Sequence, residues 1–213
     1  MMAFLRASVL RGKFSPVSHR EMTTTRLEAF SAGVIAIIVT IMVLELRAPS
    51  QPTWPALLKV APIFISYGLS FLVVAIMWVN HHHMIHAAHD VTARLLWSNL
   101  NLLFWMSLVP FVTDFLGKNH REPMAVALYG LDLACCGAAF ALLRTELIHQ
   151  DRDHGKEPDY HAAMRRKNRY SFALYLSTVP LAYVSIYASF FIFALVPAMY
   201  FLPEKGSSGS AQR

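Results

Sequence analysis

The chain has 213 residues, of which 55% are hydrophobic and only 15% charged, and its formal net charge is +6. A soluble domain carries about 25% charged residues. Here the apolar residues gather in long runs, and a helix that spans a bilayer needs about 20 mostly apolar residues. Because the Lys and Arg residues lie between these runs, where membrane orientation signals belong, the composition argues against a soluble enzyme and a nucleic-acid partner. It predicts an all-α integral membrane protein.

The first predicted span runs from Leu27 to Leu46. It follows a basic arm, residues 1–25, in which no signal peptide is evident. Thr25 and Glu28 have the spacing of a capping box, which predicts where the helix begins.

One face of this first span carries a stripe of apolar residues with one glycine and one hydroxyl. At 100° per residue the stripe comprises six positions: Phe30, Gly33, Ile37, Thr40, Ile41 and Leu44. It can be a helix–helix contact in which the glycine allows close approach. It can also be a pore wall whose branched side chains form a hydrophobic constriction. Periodicity alone favours the first interpretation.

The next three spans are predicted at residues 57–80, 95–116 and 124–143. Pro62 is expected in the first turns of its helix, where proline costs least, and Pro110 is expected to kink the third span. The last apolar stretch, residues 170–202, would form a helix about 50 Å long, against a hydrocarbon core of about 30 Å. Two short helices joined near Tyr187 and Ser189 fit better, which makes six spans.

The basic residues orient these spans. With the N-terminus inside, fifteen of the 19 Lys and Arg residues lie on the inner side, a strong positive-inside bias. Both termini are therefore expected in the cytoplasm, with residues 26–203 as the transmembrane domain. Residues 204–213 are expected to form a flexible tail.

Two polar features interrupt the apolar pattern. Five histidines lie between positions 81 and 89, and the spacing of His82, His86 and His89 predicts one shared helix face. A metal site, a pH sensor and ordinary polar residues at a membrane boundary are the alternatives for this cluster. Asp132 lies in the middle of the fourth span, where an ionisable group either faces a water path or is satisfied by a neighbouring hydroxyl or histidine.

Several segments in the right order resemble the transmembrane protein 175 family of potassium-permeable channels. They are Arg26 to Leu46, with Phe30-Ser31-Ala32-Gly33 inside it, the Trp78-Val-Asn80-His81-His82 ending of the second span, Asn99-Leu-Asn101-Leu-Leu-Phe104, and Pro110-Phe111-Val-Thr113. The resemblance extends from Arg26 to about Pro203. It implies six helices per repeat, with the first helix of each subunit lining a central pore, and a homotetramer of single-repeat chains.

The resemblance also implies roles for individual residues. Ile37 is placed at the hydrophobic constriction, Ile41 and Leu44 on the same wall, and Thr40 at a selectivity position. A structural polar network is implied at Arg26, Ser31, Trp78, His81, His82, Asn99 and Asn101. The family has an aspartate where this chain has Ala32, so the network lacks that carboxylate.

The expected function is thus a potassium-selective cation channel in the cell membrane, without enzymatic activity. No cofactor or metal is expected beyond the permeant K⁺ and other monovalent cations, and the partners are the lipid bilayer and further copies of the chain. The alternative is a proton- or metal-coupled transporter that uses Asp132 and the histidine cluster. An accessory membrane protein is a third interpretation.

Overall fold

The structure, a computed structural model, describes residues 23–153 and 159–201. Within these ranges the chain forms six α-helices: α1 (Thr24–Leu44), α2 (Trp54–His86), α3 (Ala93–Lys118), α4 (Pro123–Asp153), α5 (Asp159–Val184) and α6 (Ile186–Phe201). The basic arm predicted at 1–25 lies almost wholly outside the described residues, and the tail predicted at 204–213 lies entirely outside them.

Four helices are long and apolar enough to cross a bilayer, namely α1, α2, α3 and the 123–150 part of α4. The apolar α6 is shorter, with 16 residues. The predicted all-α membrane fold is therefore confirmed, and so is the division of the last apolar stretch into two helices.

That division occurs at Ser185, two to four residues before the predicted position. The Ser185 amide still donates to the Leu181 carbonyl at 2.7 Å, as the last bond of α5. The Ser185 hydroxyl accepts from the Ala188 amide at 3.4 Å, so the same residue caps the start of α6. Serine is a favoured N-cap because its side chain satisfies an otherwise unpaired helix donor, which explains why the break lies here.

Two helix starts differ from the prediction. The side chain of Thr23, and not that of Thr25, accepts from the Arg26 amide and caps α1. Helix α2 begins at Trp54 with Pro55 in its first positions, so Pro62 lies inside the helix and not in its first turns. Pro110 lies inside α3, as expected.

The core lies around α4, which packs against α3, α5 and α6. Tyr129 on α4 and Phe193 on α6 are both fully buried and form an edge-to-face pair with centroids 4.8 Å apart. Gly130 brings α4 close to α5, since a Cβ at this position would lie 1.8 Å from the Thr178 hydroxyl oxygen.

Buried hydroxyl groups join three helices on one side of this core. The Thr113 hydroxyl lies 2.7 Å from that of Ser70, which lies 2.9 Å from the Tyr129 hydroxyl. Such bonds satisfy polar groups that would be costly to leave unpaired in a membrane interior. They hold α2, α3 and α4 at fixed relative positions, and α1 packs on α2 and α3 beside them.

Candidate pore helix and its polar anchor

One face of α1 is not covered by the other described helices, and it is the predicted stripe. We call Phe30, Gly33, Ile37, Thr40, Ile41 and Leu44 the α1 stripe; each is exposed on the single chain, Ile37 by 58% and Leu44 by 76%. The opposite face is buried through Leu27, Ser31, Ile35, Ile38 and Met42. The helix therefore has one face committed to the subunit and one face available to lipid, to other subunits or to water.

The only hydroxyl in the α1 stripe belongs to Thr40. It donates to the Ile37 carbonyl at 2.8 Å. Because this bond uses the proton, the oxygen lone pairs remain available as acceptors on the exposed side of the helix. Oxygen lone pairs are the groups that replace water around a permeant cation, so Thr40 has suitable chemistry for such a contact.

A buried hydrogen-bond chain anchors α1 to the second and third helices. The Asn99 amide donates to the Ser31 hydroxyl at 2.9 Å, and the Asn99 carbonyl accepts from His81 Nε2 at 2.6 Å. The Ser31 hydroxyl in turn donates to the Leu27 carbonyl at 2.9 Å. All three side chains are buried, so we call Ser31, Asn99 and His81 the polar anchor.

The other residues of the predicted network lie outside the polar anchor. His82 Nδ1 lies 2.6 Å from the Glu28 carboxylate, and the His82 ring stacks on Trp78 at 6.2 Å. Arg26 is exposed at the start of α1. Asn101 is half-buried and forms no hydrogen bond through its side chain with another described residue.

Glu28 makes a contact between helices that sequence reasoning missed, since its spacing from Thr25 led to a capping role. Its side chain instead reaches from α1 to α2. Ala32, where the resembled family has an acid, is half-buried one turn further along. The carboxylate that contacts a histidine from this part of α1 thus comes from position 28.

The histidine cluster does not occupy a single helix face. Helix α2 ends at His86, so His89 lies beyond it and the predicted alignment of His82, His86 and His89 is wrong. The rings of His82 and His86 do stack, with centroids 5.9 Å apart. Among the residues that the structure describes, no group of three or more His, Cys, Asp or Glu side chains is arranged to hold a metal.

Asp132 lies on α4, away from the α1 stripe. Its side chain is buried, and neither carboxylate oxygen has a hydrogen-bond partner among the described residues. The interpretation in which a hydroxyl or a histidine on a neighbouring helix satisfies this carboxylate is therefore wrong for the described part of the chain.

The sequence is similar to those of known membrane channels. Residues 26–110 match the family described as "Endosomal/lysosomal potassium channel TMEM175". A potassium channel of Chryseobacterium sp. (strain P1-3) is 37% identical, over 86% of this chain and 95% of that protein. A potassium channel of Streptomyces collinus is 36% identical, over 75% of this chain and 82% of its own length.

A solved structure shares the fold. The crystal structure of a lysosomal potassium-selective channel TMEM175 homolog from Chamaesiphon minutus superposes with a TM-score of 0.73 at 26% identity, covering 83% of this chain and 95% of the other. The match thus includes most of both molecules. Together with the relative that is 37% identical along nearly its whole length, it shows that this chain belongs to the TMEM175 family.

Proposed function

We propose that the chain is one subunit of a potassium-selective channel whose pore is lined by the α1 stripe. The observation that carries the proposal is the exposure of this stripe on a helix whose other face is held inside the subunit by the polar anchor. The relatives named above are potassium channels, which supports potassium as the permeant ion.

Several copies of the chain are needed, because a single α1 helix encloses no pore. We infer a homotetramer, the number that the family resemblance implies. In this assembly four α1 helices surround the axis with the α1 stripe turned inward. The remaining exposed apolar side chains, such as Trp97 and Phe111 on α3, contact lipid or adjacent subunits.

Ile37 forms the constriction in this proposal, and Ile41 and Leu44 continue the same wall. A narrow ring of branched side chains excludes water and so closes a pore without any charge. Thr40, one turn from this ring, supplies the hydroxyl oxygen that contributes to selectivity. No catalytic group or bound cofactor is part of the mechanism.

The proposed location is the cell membrane, with both termini in the cytoplasm. The positive-inside bias supports this orientation, and residues 26–203 act as the channel domain. In this orientation the arm of residues 1–25 and the tail of residues 204–213 are on the cytoplasmic side.

Single-channel recording from the purified protein in a planar bilayer tests the proposal. We expect discrete unitary currents carried by K⁺ and a mass of about four chains in detergent. Flux that saturates at a slow turnover, without unitary events, would contradict a channel. A stable monomer that conducts would contradict the pore shared between subunits.

A second candidate function is a proton-coupled transporter. It is supported by Asp132, because the buried carboxylate of this residue has no hydrogen-bond partner among the described residues. Replacing Asp132 by Asn separates the two functions. A transporter would lose coupled flux, whereas a channel lined by α1 would keep its unitary K⁺ conductance.

A further inference from the structure

A pocket lies between α2, α4, α5 and α6, away from the α1 stripe. Polar side chains from all four helices lie in its wall: Asn80, Arg144, Asn168, Ser171 and Tyr200. No acidic residue is among the described residues that line it.

The five polar residues all lie toward one end of the pocket. Asn80, Arg144 and Tyr200 are in the C-terminal halves of α2, α4 and α6, whereas Asn168 is in the first half of the oppositely directed α5. The remaining wall lies deeper in the bundle and is apolar apart from the Tyr175 hydroxyl, with Val73, Leu133 and Val196 among its residues. The pocket is therefore polar near one membrane surface and apolar toward the membrane interior.

Arg144 gives the polar end a positive charge. Its side chain is only 4% exposed, and one of its nitrogens contacts the Met84 sulfur at 3.5 Å. A guanidinium has five N–H donors in a planar fork, so it can hold several partners at once. Two parallel bonds to a carboxylate or a phosphate are its preferred arrangement.

Tyr200 and Lys167 extend this polar end toward the surface. The Ser171 hydroxyl donates to the Lys167 carbonyl at 3.0 Å and lies 3.3 Å from the Tyr200 hydroxyl. The Lys167 ammonium lies 6.0 Å from the centre of the Tyr200 ring. Ile76, Asn80 and Tyr200 are only half-buried, whereas most of the other wall residues are buried, so the pocket opens between α2 and α6.

We propose that this pocket binds one anionic phospholipid from the leaflet on the side of the α2 C-terminus. The headgroup phosphate binds to Arg144 and accepts a hydrogen bond from the Tyr200 hydroxyl, and part of an acyl chain fills the apolar end. Basic pockets between transmembrane helices are suited to anionic headgroups. The apolar end favours a lipid over free phosphate, because it would be left empty by a small anion. In the proposed topology this leaflet is the cytoplasmic one.

Native mass spectrometry of the full-length protein tests the site. The protein is released from detergent that contains equal amounts of phosphatidylglycerol and phosphatidylcholine, and the lipid retained per chain is counted. We expect wild type to retain phosphatidylglycerol, and Arg144→Gln to reduce its apparent affinity roughly tenfold, the loss of about one charge-assisted bond. Arg94→Gln is the matched control, since Arg94 is exposed outside the pocket and the change removes the same charge.

A second variant keeps the test valid if Arg144→Gln does not fold. Tyr200→Phe removes only the hydroxyl, and we expect a smaller, severalfold loss of phosphatidylglycerol. Equal retention of the two lipids by wild type, or equal losses in Arg144→Gln and Arg94→Gln, would overturn the proposal. Displacement of the lipid by millimolar inorganic phosphate would also overturn it, because the apolar end would then contribute nothing. None of these readouts depends on ion conduction.

Discussion

His82 Nδ1 on α2 lies 2.6 Å from the Glu28 carboxylate on α1. The histidine side chain is 45% exposed and the carboxylate 28%, so solvent weakens the interaction and its contribution to stability is small. Its importance is positional, because it joins the first turn of the proposed pore helix to the end of α2. It lies beside the polar anchor, which joins the same two helices in the interior.

A double-mutant cycle with Glu28→Gln and His82→Gln measures this contact. We expect a coupling free energy of about 0.2–1 kcal/mol, as for other exposed pairs. Thermal unfolding of the detergent-solubilised protein provides the measurement. Additive effects of the two changes would show that the pair is not formed.

Ile37→Asn tests the constriction. An amide in place of the branched side chain lets water enter the narrow part of the pore, so we expect a larger resting K⁺ current in reconstituted liposomes. Val39→Asn is the control, since Val39 is half-buried against the core on another face of α1. That change should impair folding or leave the current unaltered. Equal current increases in both variants would mean that the α1 stripe is not the pore wall.

Asn99→Leu tests the polar anchor. The change leaves buried His81 and Ser31 without their shared partner, and an unsatisfied buried polar group costs about 1–3 kcal/mol. We expect a clear fall in Tm. Asn101→Leu, two residues along the same helix and half-buried, should have much less effect, so similar falls in Tm would argue against a specific role for Asn99.

Gly130→Ala should lower the stability of the protein, whereas Gly33→Ala should change its conductance. A Cβ at Gly130 would overlap the Thr178 hydroxyl, whereas nothing lies within 4 Å of a Cβ at Gly33. Overpacking of this kind costs about 1–3 kcal/mol, so we expect Gly130→Ala to lower Tm and Thr178→Ala to restore part of the loss.

Gly33→Ala should not lower Tm, because alanine favours a helix over glycine. In the proposed pore it adds a methyl group to the wall, so unitary current should change instead. A fall in Tm without a change in current would place position 33 in a packed contact.

Hydropathy predicted where each of the first four helices lies, but not where it ends. Helix α2 has 33 residues and α4 has 31, well beyond the apolar stretches that marked them. Both helices continue past the apolar residues, and composition no longer distinguishes helix from loop there. The shift of the α5–α6 break to Ser185 has a similar origin, since a capping serine depends on local hydrogen bonds that apolar run lengths do not report.

The α1 stripe was evident from residue spacing because a helix repeats its faces regularly. The Glu28–His82 contact was not, because it joins positions 54 residues apart and Glu28 also fitted a local capping pattern. The placement of Asp132 without a partner among the described residues depends on how α4 packs against its neighbours. Such contacts between distant positions require the three-dimensional arrangement.

The polar anchor constrains how the proposed channel can open. Ser31 lies on the opposite side of α1 from the α1 stripe, and its bond to Asn99 fixes the helix about its long axis. Twisting α1 to remove Ile37 from the pore would break that bond and swing exposed apolar side chains toward the subunit interior. Opening by tilt or outward displacement avoids both costs, provided that α1, α2 and α3 move together as one rigid body. Gating in the proposed channel should therefore alter distances between subunits more than distances within a single subunit.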